Sequence, residues 1–170
     1  MPQFYPIEER MLYAGEYPGH RNPEIARAHL EDLLAAGMRT FIDLTTPQDP
    51  LEPYEGLLME LGAAQGLSLH RISVPVPDMG VPDSNKTTRR ALDAIEQGIA
   101  TSPAVYIHCW GGIGRTGTLV GCWFRKCGLD PESALARVQH LYATHMPKVA
   151  VHPKSPQTAA QQRYVRAWKG

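Results

Sequence analysis

The chain has 170 residues, 43% of them apolar and 20% charged, with no repeat or low-complexity tract, which excludes a disordered, collagenous or solenoid protein and fits one domain over residues 1–170. Seventeen Lys and Arg balance seventeen Asp and Glu, so no global basic field recruits nucleic acid or a membrane surface; neither is expected as a partner, and any bound anion must be caught locally. No apolar run reaches the ~20 residues of a membrane span, and the opening MPQFYPIEER lacks the basic and apolar stretches of a signal peptide, so the expectation is a cytoplasmic protein, most simply a monomer.

Asn22-Pro23 pairs a capping side chain with a residue preset for a first helical turn. The helix it opens places Ala26, Leu30, Leu33 and Leu34 on one face and is closed by Gly37. Residues 39–45 read as a strand, 55–65 as a second helix and 68–74 as a second strand, after which Pro75, Pro77 and Pro82 forbid regular structure. Ser84 caps a third helix with Leu92, Ile95 and Ile99 inward, and residues 104–108 form a short apolar strand. A glycine-rich turn leads into a helix over 118–126. Asp130-Pro131 and Ser155-Pro156 begin two more, the last with Val165 and Trp168 inward. Strands alternating with helices imply crossover connections. The expected fold is a single-domain α/β structure, a mainly parallel central sheet flanked by helices on both faces. Ligands of such sheets bind beyond the strands' carboxyl ends, here residues 44–46, 74–78 and 108–115.

The third of these ends carries the chemistry. After His108 the chain reads Cys109-Trp110-Gly111-Gly112-Ile113-Gly114-Arg115-Thr116-Gly117. A glycine-rich turn between a strand and a helix amino terminus is an anion cradle, because glycines let backbone N–H groups converge and the helix dipole adds positive potential. The Gly-Lys-Ser/Thr ending of nucleotide-binding loops is missing. The field that holds a phosphate also favours a thiolate, the nucleophilic form of cysteine, and the planar fork of Arg115 matches two phosphoryl oxygens.

His108-Cys109, five residues, then Arg115-Thr116-Gly117 resembles the signature of the cysteine-dependent protein tyrosine and dual-specificity phosphatases. Pro77-Asp78-Met79-Gly80-Val81-Pro82 looks like the general-acid loop of the small members, Gln157-Thr158-Ala159-Ala160-Gln161 resembles the segment that positions water, and Ala14 to Gly19 is similar to a stretch common in bacterial-type members. The resemblance implies Cys109 as nucleophile, with Arg115 and the backbone of Trp110, Gly111, Gly112, Ile113 and Gly114 holding the phosphoryl oxygens. It implies Asp78 as acid and then base, Thr116 bonded to the sulfur, His108 ordering the loop, and Gln157 or Gln161 steadying water. It also implies no metal and no cofactor, with a phosphorylated protein or peptide as substrate.

Blander readings stand beside these. Asp83 competes with Asp78 for the acid role, although beside Ser84 it is well placed to cap the next helix. Gln157 is read in the first turn of a helix, where any polar residue serves. Cys122 and Cys127 are read as core, Asp43 as a satisfied structural carboxylate, and Lys86, Arg89 and Arg90 as a solvated helix face with room for a substrate contact. The alternatives are a phosphatase of a small metabolite or inositol phosphate, a phosphate-reading module without turnover, and a rhodanese-type sulfur transferase. The uncharged run from Trp110 to Gly114 argues against a polyanionic substrate, and the joint presence of Cys109, Arg115 and Asp78 argues against a mere reader.

Overall fold

In the computed structural model, which describes residues 2–170, the chain begins with a hairpin. Strand β1 (Phe4–Glu8) pairs antiparallel with β2 (Leu12–Gly15). There follow α1 (Pro23–Ala35), β3 (Met38–Asp43), α2 (Glu55–Gln65), β4 (His70–Ser73), α3 (Asn85–Thr101), β5 (Ala104–His108), α4 (Gly114–Lys126), α5 (Pro131–His145) and, after a short 3-10 turn at Pro147–Ala150, α6 (Ala159–Ala167). The strands form one sheet in the order β1-β2-β5-β3-β4, parallel except for the hairpin. The α/β class with a mainly parallel sheet is therefore as the element order requires.

Capping side chains set several helix starts. Asn22 accepts from the Glu24 N–H at 2.9 Å, Ser84 from Thr87 at 3.2 Å and Asp130 from Glu132 and Ser133 at 3.0 Å, each cap worth ~1 kcal/mol. Strand β5 is buried along its whole length because both of its faces are covered. Tyr106 turns toward α1 and α2, among Leu30, Leu33, Phe41 and Leu58. Val105 and Ile107 turn the other way, toward the layer built by α3 to α6, with Ile95, Val120, Val138 and Val165. Eleven of the thirteen residues of α4 are buried, so the helix that follows the glycine-rich turn is fixed on every side.

Three expectations need correction. The hairpin at the amino terminus is not anticipated: Pro6 interrupts its β-pattern, which an edge strand tolerates, and its turn places Arg10 rather than a glycine at φ 65°. Helix α4 begins at Gly114, not at 118, so Arg115 and Thr116 lie in its first turn. The last helix begins at Ala159, because Thr158 and Gln161 form a reciprocal capping box, and Ser155-Pro156 is a cis peptide in the preceding loop. Trp168 is buried but lies just beyond that helix as its C-cap.

Candidate active site

The connections leaving β4 and β5 at their carboxyl ends meet the segment at the start of α6 around one small cavity of about 40 Å³, and the connection leaving β3 reaches it through Asp49 on Arg115. From the β5 connection come Cys109, Gly111, Ile113, Gly114 and Arg115; from the β4 connection Asp78 and Met79; and from the segment before α6 and its first turn Gln157 and Gln161. Cys109 is only 3% exposed. Gly112 has φ +72°, and a Cβ there would stand 2.6 Å from the carbonyl of Gly15, so glycine alone lets the loop lie on the end of β2. At Gly114 a Cβ would meet the Gln161 amide at 2.8 Å, which makes this the point where the loop and the glutamine segment touch.

Two of the loop's carbonyls are tied to neighbouring segments. The Trp110 carbonyl accepts from the Tyr17 N–H at 3.0 Å, and that of Ile113 from the Ser155 hydroxyl at 2.8 Å. The backbone N–H groups of Trp110 to Thr116 have no acceptor among the described residues. Such a run of free donors, at a helix whose dipole points its positive end at them, holds an anion.

The guanidinium of Arg115, its side chain 1% exposed, is gripped on both sides. Nη1 donates to Asp49 Oδ2 at 2.8 Å and to the Val76 carbonyl at 3.1 Å; Nη2 donates to Asp49 Oδ1 at 3.2 Å and pairs with Asp78 Oδ1 at 3.0 Å. Asp49 is a residue that sequence reasoning misses. It sits after β3 in Thr46-Pro47-Gln48-Asp49, where its Oδ2 also accepts from the N–H and hydroxyl of Thr46, and its only signal is turn-forming composition. Burial would raise its pKa, but the bonds from Arg115 and Thr46 outweigh burial and hold it below the ordinary carboxylate range. A depressed carboxylate stabilises the fold above its unfolded value of ~3.9 and loses that as pH falls through the folded one, so the clamp on Arg115 is complete at neutral pH. Asp49→Asn should therefore lower kcat/KM on the order of 10-fold or more by freeing the fork, with phosphate affinity falling in parallel and Asp49→Glu recovering part of both. Steady-state kinetics with phosphate titration checks this; activity within twofold of the parent would remove Asp49 from the site.

His108 stands behind the nucleophile. Its ring is fully buried, with Nε2 at 2.7 Å from the Tyr54 hydroxyl, Nδ1 at 3.4 Å from the Cys109 carbonyl and at 3.9 Å from Asp43 Oδ1. Burial lowers its pKa more than Asp43 raises it, so the ring is neutral, and with its proton on Nδ1 it braces the Cys109 backbone while accepting from Tyr54. Asp43 is the satisfied carboxylate expected of it. It accepts from Thr45 at 2.6 Å and twice from Arg71, at 3.0 and 2.8 Å.

Other site expectations fall differently. The Thr116 hydroxyl, in the buried first turn of α4, makes no hydrogen bond to Cys109 or to any other described residue. Gln161 is spent: its Nε2 donates to the Gly80 carbonyl at 3.0 Å and its Oε1 accepts from the Thr158 N–H at 3.0 Å, strapping α6 to the acid loop. Gln157 lies two residues before α6 rather than in its first turn, lines the cavity, and its amide is not engaged among the described residues. Asp83 accepts from the hydroxyls of Ser84 and Thr87 at the start of α3. Cys122 is buried, its thiol pushed up to about 12 by desolvation, whereas Cys127, just past α4, is exposed rather than core. Among the described residues no group of three or more His, Cys, Asp or Glu could hold a metal ion, and no helix is long and apolar enough to cross a membrane.

Comparison with known proteins returns a consistent set. Residues 18–165 match a family model described as Swiss Army Knife protein, DSP-PTPase phosphatase domain. A protein of Invertebrate iridescent virus 3 that carries the name tyrosine phosphatase 067L is 25% identical over 148 residues, 83% of this chain; the match spans 58% of that relative's length. Among solved structures, Tk-PTP in its active form superposes with a TM-score of 0.75 at 20% identity, over 99% of this chain and 97% of that one. PTPMT1 in complex with PI(5)P gives 0.69 at 15% identity, over 96% and 92%. At these identities the structural likeness speaks for the fold.

Proposed function

The chain belongs to the DSP-PTPase phosphatase family, and from that premise we propose that it hydrolyses phosphate monoesters through a cysteinyl-phosphate without a metal, its first substrate a tyrosine-phosphorylated protein or peptide. The observation that carries the reading is the convergence of Cys109, Arg115, Asp78 and the unpaired loop N–H groups on one cavity. The Cys109 thiolate attacks phosphorus in line as the ester P–O bond breaks. Asp78 gives its proton to the departing oxygen, and the free N–H groups with Arg115 hold the three equatorial oxygens where charge develops. In the second step Asp78, now a carboxylate, takes a proton from water placed by Gln157. Water attacks phosphorus, the S–P bond breaks, and phosphate leaves with the thiolate restored. Asp78 rests on Arg115 Nη2 at 3.0 Å, so an incoming phosphoryl group displaces it from the guanidinium toward the leaving-group side.

PI(5)P bound to PTPMT1 favours a second reading, a phosphorylated lipid or inositol substrate. Against it stand the uncharged loop from Trp110 to Gly114 and a cavity with room for about one phosphoryl group. Hydrolysis of p-nitrophenyl phosphate should survive EDTA and fail with vanadate, which takes the trigonal-bipyramidal shape of phosphoryl in transfer. Strong stimulation by Zn²⁺ or Mg²⁺ after chelation refutes the metal-free route. Tight phosphate binding with no hydrolysis makes the protein a reader instead.

A further inference from the structure

The net charge of zero conceals a dipole across the sheet. Helices α1 and α2 on one face carry five acidic side chains and one basic; α3 to α6 on the other carry nine basic and three acidic. Much of that positive charge is not spent inside the molecule. Lys86 and Arg90 on α3, Arg163 on α6 and Lys154 just before it are exposed and in no salt bridge among the described residues.

Lys86 and Arg90 follow the acid loop on α3, and Arg163 lies two residues after Gln161, which lines the cavity; Lys154 stands farther off, in a hollow beside Glu132 and Arg166. The acid loop that carries Asp78 runs directly into α3. Gln161 bonds the Gly80 carbonyl, and the Tyr164 hydroxyl meets that of Thr88 at 2.6 Å, so the start of α3 and α6 form one platform beside the mouth. The opposite side differs. There a hollow of about 400 Å³ beside Trp110 mixes Glu16 and Glu52 with Arg21 and Lys148, the last already paired to Glu16 at 2.5 Å.

We infer that the α3–α6 platform is a docking surface for the acidic flank of a phosphorylated peptide segment, which lies along it while its phosphate enters the loop. The inference rests on the proposed phosphatase reading and names the substrate class of that site. Asp83 is exposed at the head of α3 as well, held by Ser84 and Thr87, but Lys86, Arg90 and Arg163 outnumber it, and that imbalance decides between macromolecules. A flat anionic membrane would press on the carboxylates beside Trp110 as well, whereas an extended chain can keep its acidic residues on the platform alone. The uncharged loop fits the same division: one phosphoryl group inside, the remaining negative charge outside.

The test uses three phosphotyrosine peptides of equal length, with acidic, neutral or basic flanks, against the parent and the variant Lys86→Gln/Arg90→Gln/Arg163→Gln. The parent should favour the acidic peptide by about 10-fold in kcat/KM, with the preference shrinking as salt rises from 50 to 500 mM, as steered association does. The triple variant should lose that preference through KM while hydrolysing p-nitrophenyl phosphate as the parent does, and Arg90→Glu alone should lose part of it. Equal rates on the three peptides, or a preference indifferent to the substitutions, overturn the inference. So does indifference to peptides with charge-dependent hydrolysis of phosphoinositide in phosphatidylserine vesicles, which would give the platform to a membrane. If the parent fails to hydrolyse p-nitrophenyl phosphate, the phosphatase reading falls, and fluorescence titration of the same peptides still decides: tighter, triple-sensitive binding of the acidic one upholds the surface, and equal binding removes it.

Discussion

Cys109→Ser should drop turnover by on the order of 10⁴-fold or more while leaving inorganic phosphate bound within a few-fold of the parent, because the nucleophile is lost and the cradle is not. A serine hydroxyl does not ionise near neutral pH, and His108 is not turned to take its proton, since its ring faces the Cys109 carbonyl and Tyr54. The N–H groups from Trp110 to Thr116 and the Arg115 fork are held by other contacts, to Tyr17, Ser155 and Asp49. The near-isosteric exchange at a site 3% exposed should cost little stability. The variant would then serve as a substrate trap. Single-turnover kinetics and phosphate calorimetry measure the two effects, and a variant keeping a tenth of parental turnover would take the nucleophile's role from Cys109.

What the sequence made legible, and what it hid, divides along physical lines. Asn22-Pro23, Ser84 and Asp130-Pro131 act over three or four residues, so their helices could be read locally. The element order that gave the parallel sheet also placed the three strand ends where the site is found. Hidden features depend on distant partners. β1 is a strand because β2 offers its edge, despite Pro6. Ser155-Pro156 looks like a helix start, yet Ser155 is committed to the Ile113 carbonyl 42 residues away, and the capping box three residues on wins. Asp49 reaches Arg115 across 66 positions from a turn of ordinary composition, and no local pattern distinguishes it from Asp32 or Asp83. The polarity of the molecule was invisible for the opposite reason: it is written in the composition of individual helices but cancels in the sum over the chain.

Asp78→Asn should cost 10²- to 10⁴-fold in kcat/KM on an alkyl phosphate, the range of general acid catalysis, and far less on p-nitrophenyl phosphate, whose oxygen departs without a proton. Asp83→Asn should leave the leaving-group dependence alone. Its carboxylate accepts from the hydroxyls of Thr87 and Ser84, which hold its pKa below the ordinary value, and a carboxylate so held gives up its proton at lower pH than a general acid can use. By the same sign its help to the start of α3 is present above the unfolded value of ~3.9 and fades as pH falls through the folded one. Asp78 lines the cavity, half-exposed, on Arg115 Nη2, within reach of an ester oxygen on the phosphoryl group that replaces it there. The two variants measured on both esters separate the candidates: leaving-group dependence that appears with Asp83→Asn and not with Asp78→Asn would move the acid to the head of α3 and leave Asp78 as a counter-ion for Arg115.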